Sequence, residues 1–340
     1  MKILITGITG QVGSILSDFI IENTDWDIIG LMRWQESQEN IKHLTKRINE
    51  GDRVFLENGD LNDLPSLTKI ITNYKPDFIS HLAAQSFPKT SFDSPIETLN
   101  TNIMGTLNLL ESIRSIKSKD YDPIIHICSS SEVYGKAVKN QLLNESSNFH
   151  AASPYSLSKI GTDYLGQFYA EAYDLRTFVT RMGTHTGRRR SDVFFESTVA
   201  KQIALIENNL QEPVLNLGNL ESVRTFQDCR DAVRAYYKLL IASSKGKVPI
   251  GECFNIAGNE AFKLDEVVKL LLNMSTVKNI NVRLDPKRLR PVDADYQMFD
   301  NSKLLQYIDW SPTIKAEDMF LDLLNYWRDK ISLGDIPLNR

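Results

Sequence analysis

The chain reads as an α/β protein on a doubly wound parallel sheet (a Rossmann fold), with a smaller mixed C-terminal lobe, and three observations carry that reading. An apolar, β-branched run, Lys2-Ile-Leu-Ile-Thr6, passes directly into a glycine-punctuated turn, Gly7-x-x-Gly10-x-x-Gly13, that opens a helix. From there to about residue 180, short apolar runs alternate with stretches whose apolar residues recur three and four apart, as parallel strands joined by crossover helices require. Beyond about residue 185 the alternation becomes irregular, and loops rich in Gly, Asn and Pro separate the helical stretches.

Taken in order, strands are expected at 2–5, 27–31, 53–56, 78–82, 124–128 and 177–181, each a short run rich in Ile, Leu, Val or Phe. The intervening helices are expected at 12–22, where Val12, Leu16, Phe19 and Ile20 share a face, and at 64–73, 97–115 and 156–173. Further helices are expected at 197–208, 231–242 and 263–274. Residues 1–182 are thus expected to form the sheet domain, which the glycine turn would make dinucleotide-binding, and 183–340 a substrate lobe of which some segments return to the sheet. Ligands on such sheets lie beyond the carboxyl ends of the strands, which places chemistry just after Ile5, Leu31, Leu82, Cys128 and Arg181.

Composition narrows the function classes. With 340 residues, 42% hydrophobic and 24% charged, the chain can bury a sizeable core. A net charge of −4 argues against a nucleic-acid binder. Cys128, Cys229 and Cys253 are far apart and show neither disulfide nor metal-ligand spacing, so no metal is expected and a reducing cytoplasm fits best. No apolar run approaches the ~20 residues of a membrane span, and no signal peptide is expected.

The glycine turn suits a dinucleotide pyrophosphate. Gly7 takes the tight turn, Gly10 leaves room for phosphate at backbone N–H groups, and Gly13 lets helix and strand pack closely. Tyr155 and Lys159, in Ser153-Pro-Tyr-Ser-Leu-Ser-Lys159, stand one helical turn apart behind a proline suited to a first helical position. A phenol beside an ammonium can act as a tuned acid–base toward a sugar hydroxyl. After the strand at 124–128, Ser129-Ser-Ser-Glu-Val-Tyr-Gly135 sets Ser130 to bond a reacting oxygen and Glu132 to move a proton.

Gly7-x-x-Gly-x-x-Gly13, Asp60 in Gly59-Asp-Leu-Asn-Asp63, Leu82-Ala-Ala-Gln-Ser86, the Ser-Ser-Glu turn and Tyr-x-x-x-Lys together resemble the extended short-chain dehydrogenase/reductase family of nucleotide-sugar epimerases and dehydratases. Gly7-Ile-Thr-Gly-Gln11, Leu217-Gly-Asn-Leu220, Arg224 and Arg290-Pro-Val-Asp293 are similar to its GDP-mannose 4,6-dehydratase branch and to the sister GDP-4-keto-6-deoxymannose reductases. The resemblance implies that Ser130, Glu132, Tyr155 and Lys159 are catalytic. It further implies that Gly7, Thr9, Gly10, Gln11, Val12, Gly13, Arg33, Asp60, Leu61, Leu82, Ala83, Ala84 and Gln85, with Tyr155 and Lys159, hold NADP or NAD. Arg33, just past the second strand, stands where a 2′-phosphate would be met, which favours NADP.

The GDP-sugar side is expected at Ser86, Ser130, Glu132, Thr184, Arg189, Arg224 and Arg290, arginine being suited to bidentate phosphate contact. Met182, Phe194, Phe195 and Trp310 are assigned to packing. Several positions depart from the dehydratase pattern: Ser130 replaces threonine, Thr184 an asparagine and Arg188 a proline, and Trp34 stands among usually small polar residues. Arg224-Thr-Phe-Gln-Asp-Cys-Arg-Asp231 and Asp300-Asn-Ser-Lys303 are closer to the reductases. The expected activity is a GDP-sugar 4,6-dehydratase acting on GDP-mannose or a GDP-manno-heptose, by internal hydride transfer. The alternatives are a C4-keto reductase, another epimerase or decarboxylase of the family, and a non-catalytic dinucleotide-binding regulator. A homodimer or homotetramer formed through the helices at 97–115 and 156–173 is implied by the same resemblance.

Overall fold

Seven strands of the computed structural model form one parallel sheet: β1 (Lys2–Thr6), β2 (Asp27–Met32), β3 (Val54–Asn58), β4 (Phe78–His81), β5 (Ile124–Cys128), β6 (Thr177–Met182) and β7 (Glu252–Ile256), in the order β7-β6-β5-β4-β1-β2-β3. The structure describes residues 1–137, 141–292 and 296–334; Asp293 of the Arg290 motif and the end of the 183–340 lobe lie outside them. The strand order reverses between β1 and β4. A crevice therefore opens beyond their carboxyl ends, where α/β folds hold ligands.

Both faces of the sheet are covered, so its strands are apolar on both sides. Ile3, Ile5 and Ile28 pack against Leu16 and Ile20 of the helix Gln11–Asn23 and against Val233, Tyr236 and Leu240 of the helix Cys229–Ser244. On the other face Leu4, Ile29, Ile79 and Ile125 pack against the helices Leu64–Tyr74, Gly105–Ile116 and Pro154–Tyr173. The helix over 229–244 and the strand β7 both bring the C-terminal half back to the sheet.

The remaining residues build a smaller sheet in the order Glu260–Lys263, Val223–Asp228, Tyr296–Phe299, Leu142–Leu143, with Thr184–Thr186 paired to the second of these. Its core joins Val199 and Ile203 of the helix Phe195–Glu207, Val267 and Leu271 of Leu264–Asn273, and Phe320, Leu323 and Trp327 of Ala316–Ser332. The last helix was not among those expected, although its apolar residues repeat with helical period.

One expected helix is broken. The stretch expected at 97–115 forms Pro95–Leu99, a π-helical turn Asn100–Met104, and Gly105–Ile116. The widened turn frees Asn102, which is 2% exposed, to accept from the Gln85 N–H at 2.8 Å and to donate to Gln85 O at 3.0 Å and Ser158 Oγ at 2.8 Å. Asn102 thus ties the loop after β4 to the helix that carries Tyr155 and Lys159. No helix among the described residues is long and apolar enough to cross a membrane.

Candidate active site

The turn after β1 is shaped by backbone approach. Gly7 has φ +73° and lies against the turn after β4, where a side-chain carbon would fall 2.9 Å from Ala83 Cα; at Gly13 one would fall 2.3 Å from Gly7 O. The helix Gln11–Asn23 starts at Gly10 without a side-chain cap, which leaves its first N–H groups facing the crevice. Thr9 Oγ1 is buried there with no partner. An uncapped helix start, a buried unmatched hydroxyl and backbone with no room for side chains fit a bound pyrophosphate.

The crevice is a single cleft of about 1120 Å³, larger than the ~300–1,000 Å³ of a usual small-molecule site and so roomy enough for a dinucleotide and a second nucleotide together. Every residue expected at the cofactor and sugar sites lines it, from Gly7 and Arg33 at one end, past Ser130, Glu132, Tyr155 and Lys159, to Thr184, Arg189, Arg224 and Arg290.

The helix Pro154–Tyr173 begins at Pro154, and its Ser153 cap accepts from Ser156 N at 3.0 Å. Tyr155, the next residue, and Lys159, one turn further on, are both buried, with Lys159 Nζ donating to Cys128 O at 2.7 Å. Burial pushes the Lys159 ammonium down and the Tyr155 phenol up from their usual ranges. The groups that draw the phenol back down are the Ser130 hydroxyl, by a hydrogen bond, and the Arg190 charge. The sequence assigned that effect to Lys159, whose Nζ is bonded instead to the end of β5.

Glu132 is fixed through its neighbours. Its N–H is bonded by Ser130 Oγ at 3.1 Å, and two residues on, the Tyr134 hydroxyl donates to Asn255 Oδ1 on β7 at 2.7 Å and accepts from Arg181 Nη1 on β6 at 3.0 Å. Arg181 is held by a bidentate pair with Asp163, at 2.9 and 3.0 Å, in which both side chains are buried. The turn bearing Glu132 is therefore pinned to two sheet strands and one helix.

A family model described as GDP-mannose 4,6 dehydratase matches residues 4–323. The chain belongs to this family. It is 30% identical to the GDP-mannose 4,6-dehydratase of Yersinia enterocolitica, over 95% of the chain and 92% of that protein. It is 26% identical to the GDP-6-deoxy-D-mannose reductase of Pseudomonas aeruginosa, over 97% of the chain and 98% of that protein. The solved structure of RMD from Pseudomonas aeruginosa complexed with NADPH shares the fold, with a TM-score of 0.79 at 24% identity, covering 96% of the chain and 99% of that structure.

As a member of the GDP-mannose 4,6-dehydratase family, the chain is an enzyme that works with a nucleotide cofactor. Its cleft also contains residues that the sequence read differently or did not single out. Met182, Phe194 and Phe195, read as packing, line it, and the Arg190 guanidinium lies 3.4 Å from the Phe194 ring centre; Trp310 is buried in the core. Gln11 spans the two halves, donating to Gly187 O at 3.2 Å and Arg188 O at 3.1 Å while Arg190 Nη1 donates to its Oε1 at 3.4 Å. Arg189, left-handed at φ +64°, pairs with Asp18 at 2.7 Å, and Arg188 turns outward toward Asp322 at 3.4 Å. Gln85 lines the cleft with its amide spent on Phe87 and Thr98. Asn219, Arg288 and His185 are further lining residues, found only by the folding together of loops distant in sequence.

Proposed function

We propose that the protein is a GDP-sugar 4,6-dehydratase, a nicotinamide-dependent lyase that converts GDP-mannose or a GDP-manno-heptose to the 4-keto-6-deoxy sugar. The observation that supports this best is the meeting of Ser130, Glu132, Tyr155 and Lys159 in the same cleft as the glycine turn. The residues named above for the dinucleotide would hold NADP, or NAD, with the pyrophosphate at Gly7–Gly13 and the adenosine near Arg33, Asp60 and Leu61. Ser86, Thr184, Arg189, Arg224 and Arg290 would hold the GDP-sugar.

A nicotinamide held by these residues would supply reversible hydride acceptance, so that oxidation at sugar C4 and reduction at C6 would leave no net redox change. Tyr155, whose phenol burial pushes up while the Ser130 bond and the Arg190 charge pull it toward the ionised form, acts as the base for the C4 hydroxyl proton, and Ser130, its hydrogen-bond neighbour, holds the C4 oxygen. The C4 carbonyl acidifies the C5 hydrogen, and Glu132 takes that proton. As the C6–O bond breaks, Glu132 returns the proton to the departing hydroxide, and water leaves. Tyr155 then supplies its proton to C5, so both groups end as they began. Lys159 orders the end of β5, from which Ser130 and Glu132 follow.

A second reading, reduction of a C4 ketone, draws on the similarity to the Pseudomonas reductase and on the Arg224–Asp231 motif. The separating experiment incubates purified protein with GDP-mannose and no added cofactor. A product lighter by one water, lost by at least about a hundredfold in Tyr155→Phe and in Glu132→Gln that retains its dinucleotide, supports dehydration. Consumption of stoichiometric reduced cofactor on the 4-keto sugar, without water loss from GDP-mannose, supports the reductase instead.

In this reading residues 1–182 hold the dinucleotide and supply the groups that act on the sugar, and 183–340 form the rest of the sugar-nucleotide lobe. The three unpaired cysteines fit a cytoplasmic enzyme. Exposed Ile96, Met104, Leu157, Tyr164 and Phe168 on the adjoining helices at 95–116 and 154–173 support pairing of two copies there, a dimer or tetramer that light scattering would count.

A further inference from the structure

Gln297 sits on the strand Tyr296–Phe299, beside Arg224 of the strand Val223–Asp228 in parallel register. Alternation along this strand turns Gln297 and Phe299 inward, at 1% and 7% exposure. Phe299 packs against Val133 and Tyr134, the residues that follow Glu132. Gln297, at the equivalent inward position one pleat earlier, is an amide where an apolar side chain would suffice for packing. A buried amide calls for a partner, and Gln297 Nε2 lies 3.4 Å from Glu132 Oε1.

We infer that Gln297 is a positioning residue for Glu132, holding one carboxylate oxygen by an N–H donor so that the other faces the sugar. This rests on the dehydratase reading of Glu132. The turn already fixes the Glu132 backbone through Ser130, Tyr134, Asn255 and Arg181, yet none of these bonds constrains its side-chain torsions. The amide supplies that constraint from the C-terminal lobe. A neutral donor suits a group that must accept and return a proton within one cycle, because a cationic partner would resist protonation of the carboxylate and a carboxylate partner would repel it. The substrate's C5 proton goes to the free oxygen and leaves with the C6 hydroxide, so Gln297 neither gains nor loses a proton.

The test uses Gln297→Met, which keeps volume and length but removes the donor, in the full-length protein. With GDP-mannose, kcat for water loss falls by about tenfold or more while KM stays within about threefold. Hydride removal from C4 does not need Glu132, so the variant accumulates reduced nicotinamide during turnover, seen by its near-ultraviolet absorbance. A purely structural role would move neither the KM-against-kcat split nor that absorbance. Without substrate, urea midpoints of Gln297→Met, Glu132→Ala and the double variant fail to add, reporting the contact itself. Wild-type kcat in Gln297→Met, or additive urea midpoints, overturns the inference. If the wild-type protein removes no water from GDP-mannose, the dehydratase reading falls, and the urea cycle still decides the contact.

Discussion

Arg33 shows how one side chain is read differently in sequence and in space. From the sequence it is a cation at the end of β2, placed to meet a 2′-phosphate. In the structure its guanidinium is 63% exposed and 3.5 Å from Glu36, whose carboxylate also accepts the Arg33 N–H at 3.0 Å. A 2′-phosphate would compete with Glu36 for both donors, whereas a free ribose could leave the pair intact. Removing the cation should therefore weaken NADP by about tenfold and NAD by much less, consistent with a charged phosphate contact. Fluorescence titration of Arg33→Ala with the two reduced cofactors checks this, and equal losses would refute the 2′-phosphate assignment. That Ser130, Glu132, Tyr155 and Lys159 would face one cleft was legible because a strand end, a proline-started helix and a four-residue spacing are local signals. Gln297 was not, because its importance exists only through a neighbour 165 positions away in sequence.

At the scale of elements, the six strands expected up to residue 181 are all present, with ends that differ by a residue or two. The seventh, Glu252–Ile256, carries the same kind of apolar run, but its place beside β6 is a long-range choice that periodicity does not encode. The π-helical turn at Asn100–Met104 was also hidden, since a helical pattern does not report one extra residue per turn. The glycine turn was the clearest signal, and it is also the least tolerant piece. Gly13→Ala places a methyl 2.3 Å from the Gly7 carbonyl oxygen and 2.8 Å from Ile8 Cα, both backbone, so the turn must open. We expect dinucleotide affinity to fall at least tenfold and stability by about 1–3 kcal/mol, the range for forced overpacking. Calorimetric titration and urea unfolding of the variant measure the two, and unchanged affinity would show that the turn does not carry the pyrophosphate.

For the whole molecule, the sheet centre is polar in a way that composition could not reveal. His81 on β4 bonds Thr6 Oγ1 and Thr106 Oγ1, each at 2.9 Å, and His126 on β5 bonds Ser80 Oγ at 2.9 Å and Thr180 Oγ1 at 2.8 Å. Burial, with Lys159 nearby, pushes both imidazoles down to about 3. In the unfolded chain each titrates near 6.5, so between pH 6.5 and 3 the unfolded state binds protons that the folded state refuses. Their contribution is intact above pH 6.5 and is lost as pH falls toward 3, at about 1.4 kcal/mol per pH unit for each histidine once well below 6.5. By pH 5 the two together amount to roughly 4 kcal/mol, a large share of the ~5–15 kcal/mol that holds a domain folded. Urea unfolding of the ligand-free protein at pH 7.5 and pH 5 reads this directly, and equal stabilities would mean that the histidines are solvated.

The seat of β7 has a consequence for how the protein is made. All six residues of β6 are buried, and its outer side is covered only when Glu252–Ile256 arrives. A nascent chain that has emerged only as far as the helix Cys229–Ser244 therefore carries a naked, greasy ribbon edge, the kind that welds to other chains. The ribosome must release most of the polypeptide before that edge closes, so the enzyme cannot be halved into independently folding pieces at residue 182 without a chaperone, or a surrogate strand, to shield it.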